Sequence, residues 1–218
     1  MKRTIMMLSI VVLAISLTAV AADHRGLVTT QPKAGGTPYK DVEPMGTQIF
    51  NNLALDNPKG VYFCCSGYIV AGPSNPEGFY YWEALQFTLA NPATVNTIKT
   101  SVNYILQGNT TDFLLSIQAD ASGIPSGTPL GSGPWTVDID SQTYGQCCAL
   151  ETTNISGGLQ LAAGTYWVVW STESDSDLFA EVNVEVKDGV DETNAAYNYD
   201  GEGWSSYETT TGFSVKVK

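Results

Sequence analysis

The stretch Ala180-Glu-Val-Asn-Val-Glu-Val-Lys187 decides the fold class. Its small and apolar residues occupy every second position, and the positions between them are polar or charged. Because successive side chains of a β-strand point to opposite faces, this period of two predicts a strand with one buried and one solvated face. The preceding stretch Gly164-Thr-Tyr-Trp-Val-Val-Trp170 is apolar on both faces, which is typical of a central strand.

The same alternation recurs elsewhere in the chain, at residues 83–89, 98–106, 113–119 and 213–217. Turn signals rich in glycine and proline separate these runs, as in Gly72-Pro-Ser-Asn-Pro-Glu-Gly78 and Ser122-Gly-Ile-Pro-Ser-Gly-Thr-Pro129. We find no helical period beyond the N-terminal segment. About ten short strands with regular turns predict an all-β fold, an antiparallel two-sheet sandwich that is jelly-roll-like.

The N-terminus has the pattern of a secretory signal peptide. Lys2 and Arg3 precede an apolar run from Ile5 to Leu17, and Ala19-Val-Ala21 provides a cleavage site. The alternative is a membrane anchor, but the run is short for a span of ~20 residues. We therefore predict cleavage of residues 1–21 and a secreted, extracellular or cell-surface protein, with the periplasm as the alternative.

The remaining chain divides into two parts. Residues 22–46 read as an irregular N-terminal arm, and residues 47–218 as a single domain, since about 200 residues suit one domain with a real core. No second long apolar run follows, and the chain ends in Phe213-Ser-Val-Lys-Val-Lys218. We expect no membrane span in the mature chain.

The chain is acidic, with a formal net charge of −12. This charge repels nucleic-acid phosphates and anionic lipid headgroups, so we expect no nucleic-acid partner. Carboxylates suit Ca²⁺ instead. Two acidic turns are candidates for it on ligand type, although their spacing matches no defined calcium loop: Asp188, Asp191, Glu192 and Asn194, and Asp200 with Glu202.

The four cysteines form two adjacent pairs, Cys64-Cys65 and Cys147-Cys148. An even number of cysteines in an exported chain predicts disulfides, and three connectivities are open. Antiparallel or parallel pairing of the two segments would each give two bridges, whereas a bridge between neighbours needs a strained ring. A four-cysteine zinc site lacks the usual spacer between its ligands.

Catalytic motifs are lacking. His24, in the arm, is the sole histidine, which argues against a Ser-His-Asp or Cys-His triad on the sandwich. After cleavage at Ala21, His24 would be the third residue and could complete a nitrogen site for Cu²⁺ or Ni²⁺; the alternative is an ordinary tail residue. A carboxylate-dependent glycoside hydrolase needs only two acids paired in space. Its candidate acids are Glu83, Asp138, Asp140, Glu173, Asp175 and Asp177.

Aromatic residues near predicted loops are candidates for binding a glycan, because sugars stack on exposed aromatic rings flanked by hydrogen-bonding groups. The alternative is that these rings cap the core, where we also place Trp82, Trp167 and Trp170. The candidate ligand-binding residues are Trp135, Tyr144, Tyr197, Tyr199, Trp204 and Tyr207.

Three segments taken in order carry a family resemblance: Leu115-Ser-Ile-Gln-Ala-Asp-Ala-Ser-Gly-Ile-Pro-Ser-Gly-Thr-Pro-Leu130, Leu161-Ala-Ala-Gly-Thr-Tyr-Trp-Val-Val-Trp170, and Asp200-Gly-Glu-Gly-Trp204 before the last strand. Their order resembles the secreted bacterial β-sandwich domains of the choice-of-anchor type, over roughly residues 80–218. The resemblance implies a surface or extracellular jelly roll with no established activity. The chain differs from these domains in its Cys-Cys pairs, and we expect it to differ also in lacking a C-terminal anchor.

From these observations we expect a non-enzymatic β-sandwich with a structural or adhesive role and no resident cofactor, whose partners are a glycan or another surface protein. The alternatives are a carbohydrate-binding module that uses the loop aromatics and, third, a carboxylate-dependent glycoside hydrolase.

Overall fold

The structure is a computed structural model that describes residues 27–29, 49–51, 60–106, 109–139, 149–187, 193–209, 211–213 and 215–217. Within these ranges all regular structure is β-strand, and every pairing is antiparallel. This confirms the predicted all-β antiparallel fold. The strands are β1 (Leu27–Thr29), β2 (Phe50–Asn51), β3 (Gly60–Ala71), β4 (Tyr81–Leu89), β5 (Ala93–Leu106), β6 (Asp112–Asp120), β7 (Pro125–Pro129), β8 (Trp135–Asp138), β9 (Ala149–Leu161), β10 (Gly164–Ser171), β11 (Phe179–Lys187), β12 (Thr193–Tyr199), β13 (Trp204–Thr209), β14 (Thr211–Phe213) and β15 (Val215–Val217).

The strands form two layers. In the first layer β11 pairs with β3, β5 and β14, β5 pairs with β9 and β15, and short strands β1 and β2 extend β3 and β15. In the second layer the order is β13-β12-β4-β10-β6, and β7 and β8 both pair with the far edge of β6. The layers are continuous where β3 leads into β4, through the pair Ala71 and Tyr81.

The hydrophobic core lies between these layers. Ile98 and Val182 of the first layer and Leu85 and Trp170 of the second belong to one buried cluster. The Trp170 indole Nε1 crosses the core and donates a hydrogen bond to Thr100 Oγ1 at 2.9 Å. Apolar faces from both layers thus bury each other, as in a β-sandwich. The jelly-roll connection remains a prediction.

The stretch with the clearest alternation, 180–187, lies within β11, between β3 and β5. Ala180 and Val182 face the core as predicted. Trp167 and Trp170 are fully buried, which confirms their assignment to buried positions. The same prediction is wrong for Trp82, which is only half-buried.

The structure also places a strand in the N-terminal arm that the sequence predicts to be irregular. Strand β1 pairs with β3, with Leu27 opposite Tyr68 and Thr29 opposite Ser66. Three residues are too few for the alternation of side chains to be recognised, but they suffice to satisfy hydrogen-bonding groups along the edge of β3.

Candidate functional site

A groove of about 570 Å³ opens between β8 and β9. Among the described residues β8 pairs with β6 alone and β9 with β5 alone, so the groove lies where the edges of the two layers face each other. Its size is typical of ligand sites in proteins. Its lining comprises Pro134, Trp135, Thr136, Val137, Asp138, Glu151, Thr152, Thr153 and Asn154.

Among the described residues that line the groove, Trp135 is the one with an aromatic ring. It begins β8, pairs with Leu115 of β6, and is half-buried against the core cluster. Its indole Nε1 donates a hydrogen bond to Ser132 Oγ at 3.3 Å. Packing on one side and this hydrogen bond at the rim fix the ring while part of it remains in the groove.

The groove walls are polar and acidic. Asp138 lies on the β8 side and is exposed, and it accepts a hydrogen bond from Thr111 Oγ1 at 3.4 Å. Glu151 lies on the β9 side and is half-buried. Of the groove-lining residues that the structure describes, none is a lysine, an arginine or a histidine. A fixed indole beside carboxylates, hydroxyls and the Asn154 amide is suited to stacking and hydrogen bonding a polyhydroxylated ligand.

Three of the other predicted ligand-binding aromatics lie on strands and pack mainly against one another. Tyr197 and Tyr199 of β12 contact Tyr81 at ring-centroid distances of 5.6 and 5.7 Å. Tyr207 of β13 lies 5.9 Å from both Tyr197 and Tyr68. The structure therefore brings Tyr197, Tyr199 and Tyr207 together, but at the core and away from the groove.

Trp204 lies on the outer face of the second layer. It is half-buried against the small cluster formed by Ala84, Trp167, Val169 and Ala196. Tyr144 falls outside the described residues. Among the candidate aromatics, Trp135 is thus the one that the structure places in the groove.

Glu83, named from the sequence as a candidate acid of a glycoside hydrolase, is fully buried beside Tyr207. Burial raises the pKa of its carboxyl well above 4.5, and the hydrogen bond from Tyr207 offsets part of this rise. Its Oε1 has no hydrogen-bond partner in the part of the chain that the structure describes. Because solvent does not reach this carboxyl, we do not assign Glu83 to a surface hydrolase site.

The remaining carboxylates named from the sequence are dispersed. Asp177 accepts hydrogen bonds from the backbone N–H groups of Asn109 and Thr110 at 2.8 and 2.7 Å, which explains why its pKa is lowered. Glu173 and Asp175 are exposed, and Asp140 falls outside the described residues. Asp177 therefore connects two loops by hydrogen bonds, and Asp138 is the member of this set that lines the groove.

Among the described residues no three His, Cys, Asp or Glu side chains lie together as a metal site would need. Asp200 Oδ1 accepts a hydrogen bond from the Tyr80 backbone N–H at 2.9 Å, and Asn194 Nδ2 donates one to Gln86. The other half of the first acidic turn, Asp188, Asp191 and Glu192, falls outside the described residues, as does His24. The calcium and copper sites therefore remain predictions.

The cysteine pairs are described only in part. Cys64 and Cys65 lie in β3, which pairs with β1, β4 and β11. Cys147 and Cys148 fall outside the described residues, directly before β9. The disulfides therefore stay a prediction from the sequence.

The structure adds Glu151 and its neighbours on β9 to the candidate site. Sequence reasoning missed them because β9 is a polar, threonine-rich stretch without an apolar alternation at 151–154. Polar residues on both faces of a strand are typical of the edge of a sheet, so the polar stretch at 151–154 was the sequence signal that could have indicated an edge strand.

Two of the segments that carry the family resemblance meet in space. Asp120, the acidic residue of the first, accepts a hydrogen bond from the indole of Trp167 in the second, at 2.8 Å. It also accepts one from Gln86 Nε2 at 3.2 Å and one from the Gly123 backbone N–H at 3.1 Å. Asp120, at the end of β6, therefore connects β4 and β10 to the turn at Gly123, which is a structural role.

Comparison of this chain with protein-family models, with curated proteins and with solved structures finds no match. In the part of the chain that the structure describes, no helix has the length and apolar character needed to cross a membrane.

Proposed function

We propose that this protein is an exported, non-enzymatic β-sandwich with an adhesive role that binds a glycan in the groove between β8 and β9. The observation that carries the proposal is the position of Trp135, a half-buried indole in a groove whose other walls are polar. The export signal supports an extracellular setting, in which surface glycans are accessible.

The physical argument concerns how a sugar is held. A pyranose ring has apolar C–H faces and a rim of hydroxyls, so it gains from a flat aromatic surface combined with donors and acceptors at the side. Trp135 provides the surface, and Thr152, Asn154 and the two carboxylates provide the rim. Since the described part of the lining carries carboxylates and no cation, we expect neutral or amino sugars to bind and uronic acids to be repelled.

The proposal is tested with a glycan array, followed by titration of the best oligosaccharide against three proteins. Trp135→Ala is expected to weaken binding at least tenfold, because it removes the stacking surface. Tyr166→Ala removes another half-buried aromatic ring, on β10 and outside the groove, so it is the matched control and is expected to leave the affinity unchanged. Equal affinity of Trp135→Ala and wild type, with both folded by circular dichroism, would refute the groove as the binding site.

One observation favours a second candidate function. Asp138 and Glu151 lie on opposite sides of the groove, as the two acids of a glycoside hydrolase would. Release of reducing sugar from polysaccharides that disappears in both Asp138→Asn and Glu151→Gln would establish hydrolysis in place of adhesion. Binding without turnover is the result expected from the proposal.

A further inference from the structure

We infer that the outer face of the second layer carries a second binding site, a flat aromatic platform formed by Trp82, Asn198 and Trp204 that takes an extended β-1,4-linked glycan. These residues lie side by side on three adjacent strands: Asn198 of β12 is opposite Trp82 of β4 on one side and opposite Trp204 of β13 on the other. This site is distinct from the groove, which is at the other edge of the same layer.

The strand pleat places all three side chains on the outer face. Trp82 shares its face with Ala84, and Asn198 shares its face with Ala196, because alternate residues of a strand point the same way. Ala84 and Ala196 belong to the small outer cluster on which Trp204 packs. Residues directly opposite each other in a ladder lie on the same face, so the two indoles flank the asparagine.

Both indoles are fixed and remain accessible. Trp82 is half-buried, its Nε1 donates a hydrogen bond to Thr172 Oγ1 at 3.2 Å, and its ring lies 5.4 Å from that of Tyr80. Trp204 is half-buried against the outer cluster. Rings that are held by packing lose little conformational entropy on binding, which favours affinity.

Asn198 is the feature that points to a ligand. Its side chain is only 8% exposed, and its Oδ1 has no hydrogen-bond partner among the described residues. A buried amide oxygen left without a partner costs about 1–3 kcal/mol of stability. A small rotation of this side chain toward the surface between the two indoles would let the amide bond to a ligand hydroxyl.

The spacing selects the class of glycan. Opposite residues of antiparallel strands lie about 5 Å apart, so the backbones of Trp82 and Trp204 are about 10 Å apart. In an extended β-1,4 chain, alternate sugar rings present the same face at roughly this period, and the intervening ring lies over Asn198. An α-1,4 chain coils and cannot place alternate rings flat on both indoles.

The test is titration of the full chain with cellohexaose, and with maltohexaose as the α-linked control. Cellohexaose is expected to bind at least tenfold more tightly than maltohexaose, and Trp82→Ala or Trp204→Ala is expected to reduce cellohexaose affinity at least tenfold. Trp82→Phe and Trp204→Phe, which keep a ring and the packing, are expected to retain affinity within about fivefold. Equal binding of the two hexaoses, or unchanged affinity in both alanine variants, overturns the inference.

Asn198→Ala separates a binding role from a structural one. Because Oδ1 has no partner among the described residues, its removal is expected to leave the melting temperature unchanged or raise it, while cellohexaose affinity falls at least fivefold. Loss of melting temperature without loss of affinity overturns the role of Asn198. The Trp135→Ala variant keeps the two proposals apart: if it binds cellohexaose normally while the platform variants do not, the platform stands independently of the groove.

Discussion

The Tyr207 hydroxyl donates a hydrogen bond of 3.4 Å to Oε2 of Glu83 inside the sandwich. The two residues come from β13 and β4, which lie on either side of β12. Glu83 is completely buried, and its other oxygen has no hydrogen-bond partner among the residues that the structure describes. A buried carboxyl with one long hydrogen bond is far more stable protonated than ionised, and this explains its raised pKa.

The stability of the protein is therefore expected to fall as the pH rises above 4.5. The pKa of Glu83 is higher in the folded than in the unfolded chain. Its contribution to the free energy of unfolding is therefore complete below the unfolded-state pKa of about 4.5, and it is lost as the pH rises toward the folded-state pKa. Between these two pKa values, each pH unit lowers the free energy of unfolding by about 1.4 kcal/mol. Glu83→Gln keeps the shape and removes the titration, so urea unfolding at pH 4, 6 and 8 is expected to show a flatter profile than wild type.

The control for this experiment is Glu77→Gln, which neutralises an exposed glutamate. It is expected to follow the wild-type profile within about 0.5 kcal/mol at each pH, since exposed charges contribute little. Parallel profiles for wild type and Glu83→Gln would show that Glu83 does not gain its proton on folding.

A second prediction concerns the hydrogen bond that crosses the core from Trp170 to Thr100. Thr100→Val keeps the side-chain volume but leaves the buried indole N–H without an acceptor, which is expected to cost about 1–3 kcal/mol of unfolding free energy. Thr100→Ser keeps the hydroxyl and loses one methyl group, worth about 1 kcal/mol. In urea unfolding, valine is expected to be the more damaging change. A smaller loss for valine than for serine would show that packing outweighs the hydrogen bond.

The alternation of side chains was sufficient to predict the strands of the core. Residues 180–187 and 164–170 lie within strands β11 and β10, because burial of one or both faces leaves a direct mark on the local sequence. The same rule places Glu83 on the face of Leu85 and Phe87, which is the buried one. The alternation therefore already pointed to a buried position for Glu83, against its role as a candidate acid of a surface hydrolase site.

The candidate sites could not be predicted in this way, because they depend on which strands become neighbours. The groove needs β8 and β9 to be the edges of facing layers, and the platform needs β4 and β13 to flank β12. Pairings between strands distant in sequence leave no local pattern. Trp82 illustrates the limit: the alternation in β4 places it on the face opposite Leu85, but only the strand pairing shows that Asn198 and Trp204 lie beside it.

A third prediction concerns the acid side of the stability profile. Hydrogen bonds from the Asn109 and Thr110 backbones lower the pKa of Asp177 in the folded chain. The contribution of Asp177 to the free energy of unfolding is therefore present above its unfolded-state pKa of 3.8 and is lost as the pH falls below that value. Asp177→Asn is expected to cost about 1 kcal/mol at pH 7, a modest value because solvent screens this partly exposed group. At pH 2.5 the difference in unfolding free energy between Asp177→Asn and wild type, measured by chemical denaturation, is expected to be smaller than at pH 7.

Asp175→Asn is the matched control, since Asp175 is exposed and lies two residues away. It is expected to change stability by less than about 0.5 kcal/mol at either pH. If both variants lose the same stability at pH 7, general charge effects rather than the loop hydrogen bonds stabilise this end of the sandwich.

The last prediction concerns Asp120, which accepts the indole N–H of the fully buried Trp167. Asp120→Ala removes this acceptor and is expected to cost about 2–3 kcal/mol, because the buried donor loses its charged partner. Asp120→Asn retains Oδ1 as an acceptor and is expected to cost less than half as much. Unfolding by urea, monitored by tryptophan fluorescence, measures both.

A double-mutant cycle with Trp167→Phe isolates this hydrogen bond from the others that Asp120 makes. Phenylalanine has no N–H, so Asp120→Ala in the Trp167→Phe background is expected to cost at least about 1 kcal/mol less than in wild type. The residual loss then belongs to the bonds from Gln86 and from the Gly123 backbone. Additive effects of the two substitutions would mean that the Asp120–Trp167 bond does not stabilise the fold, and that the two segments are held together by strand pairing alone.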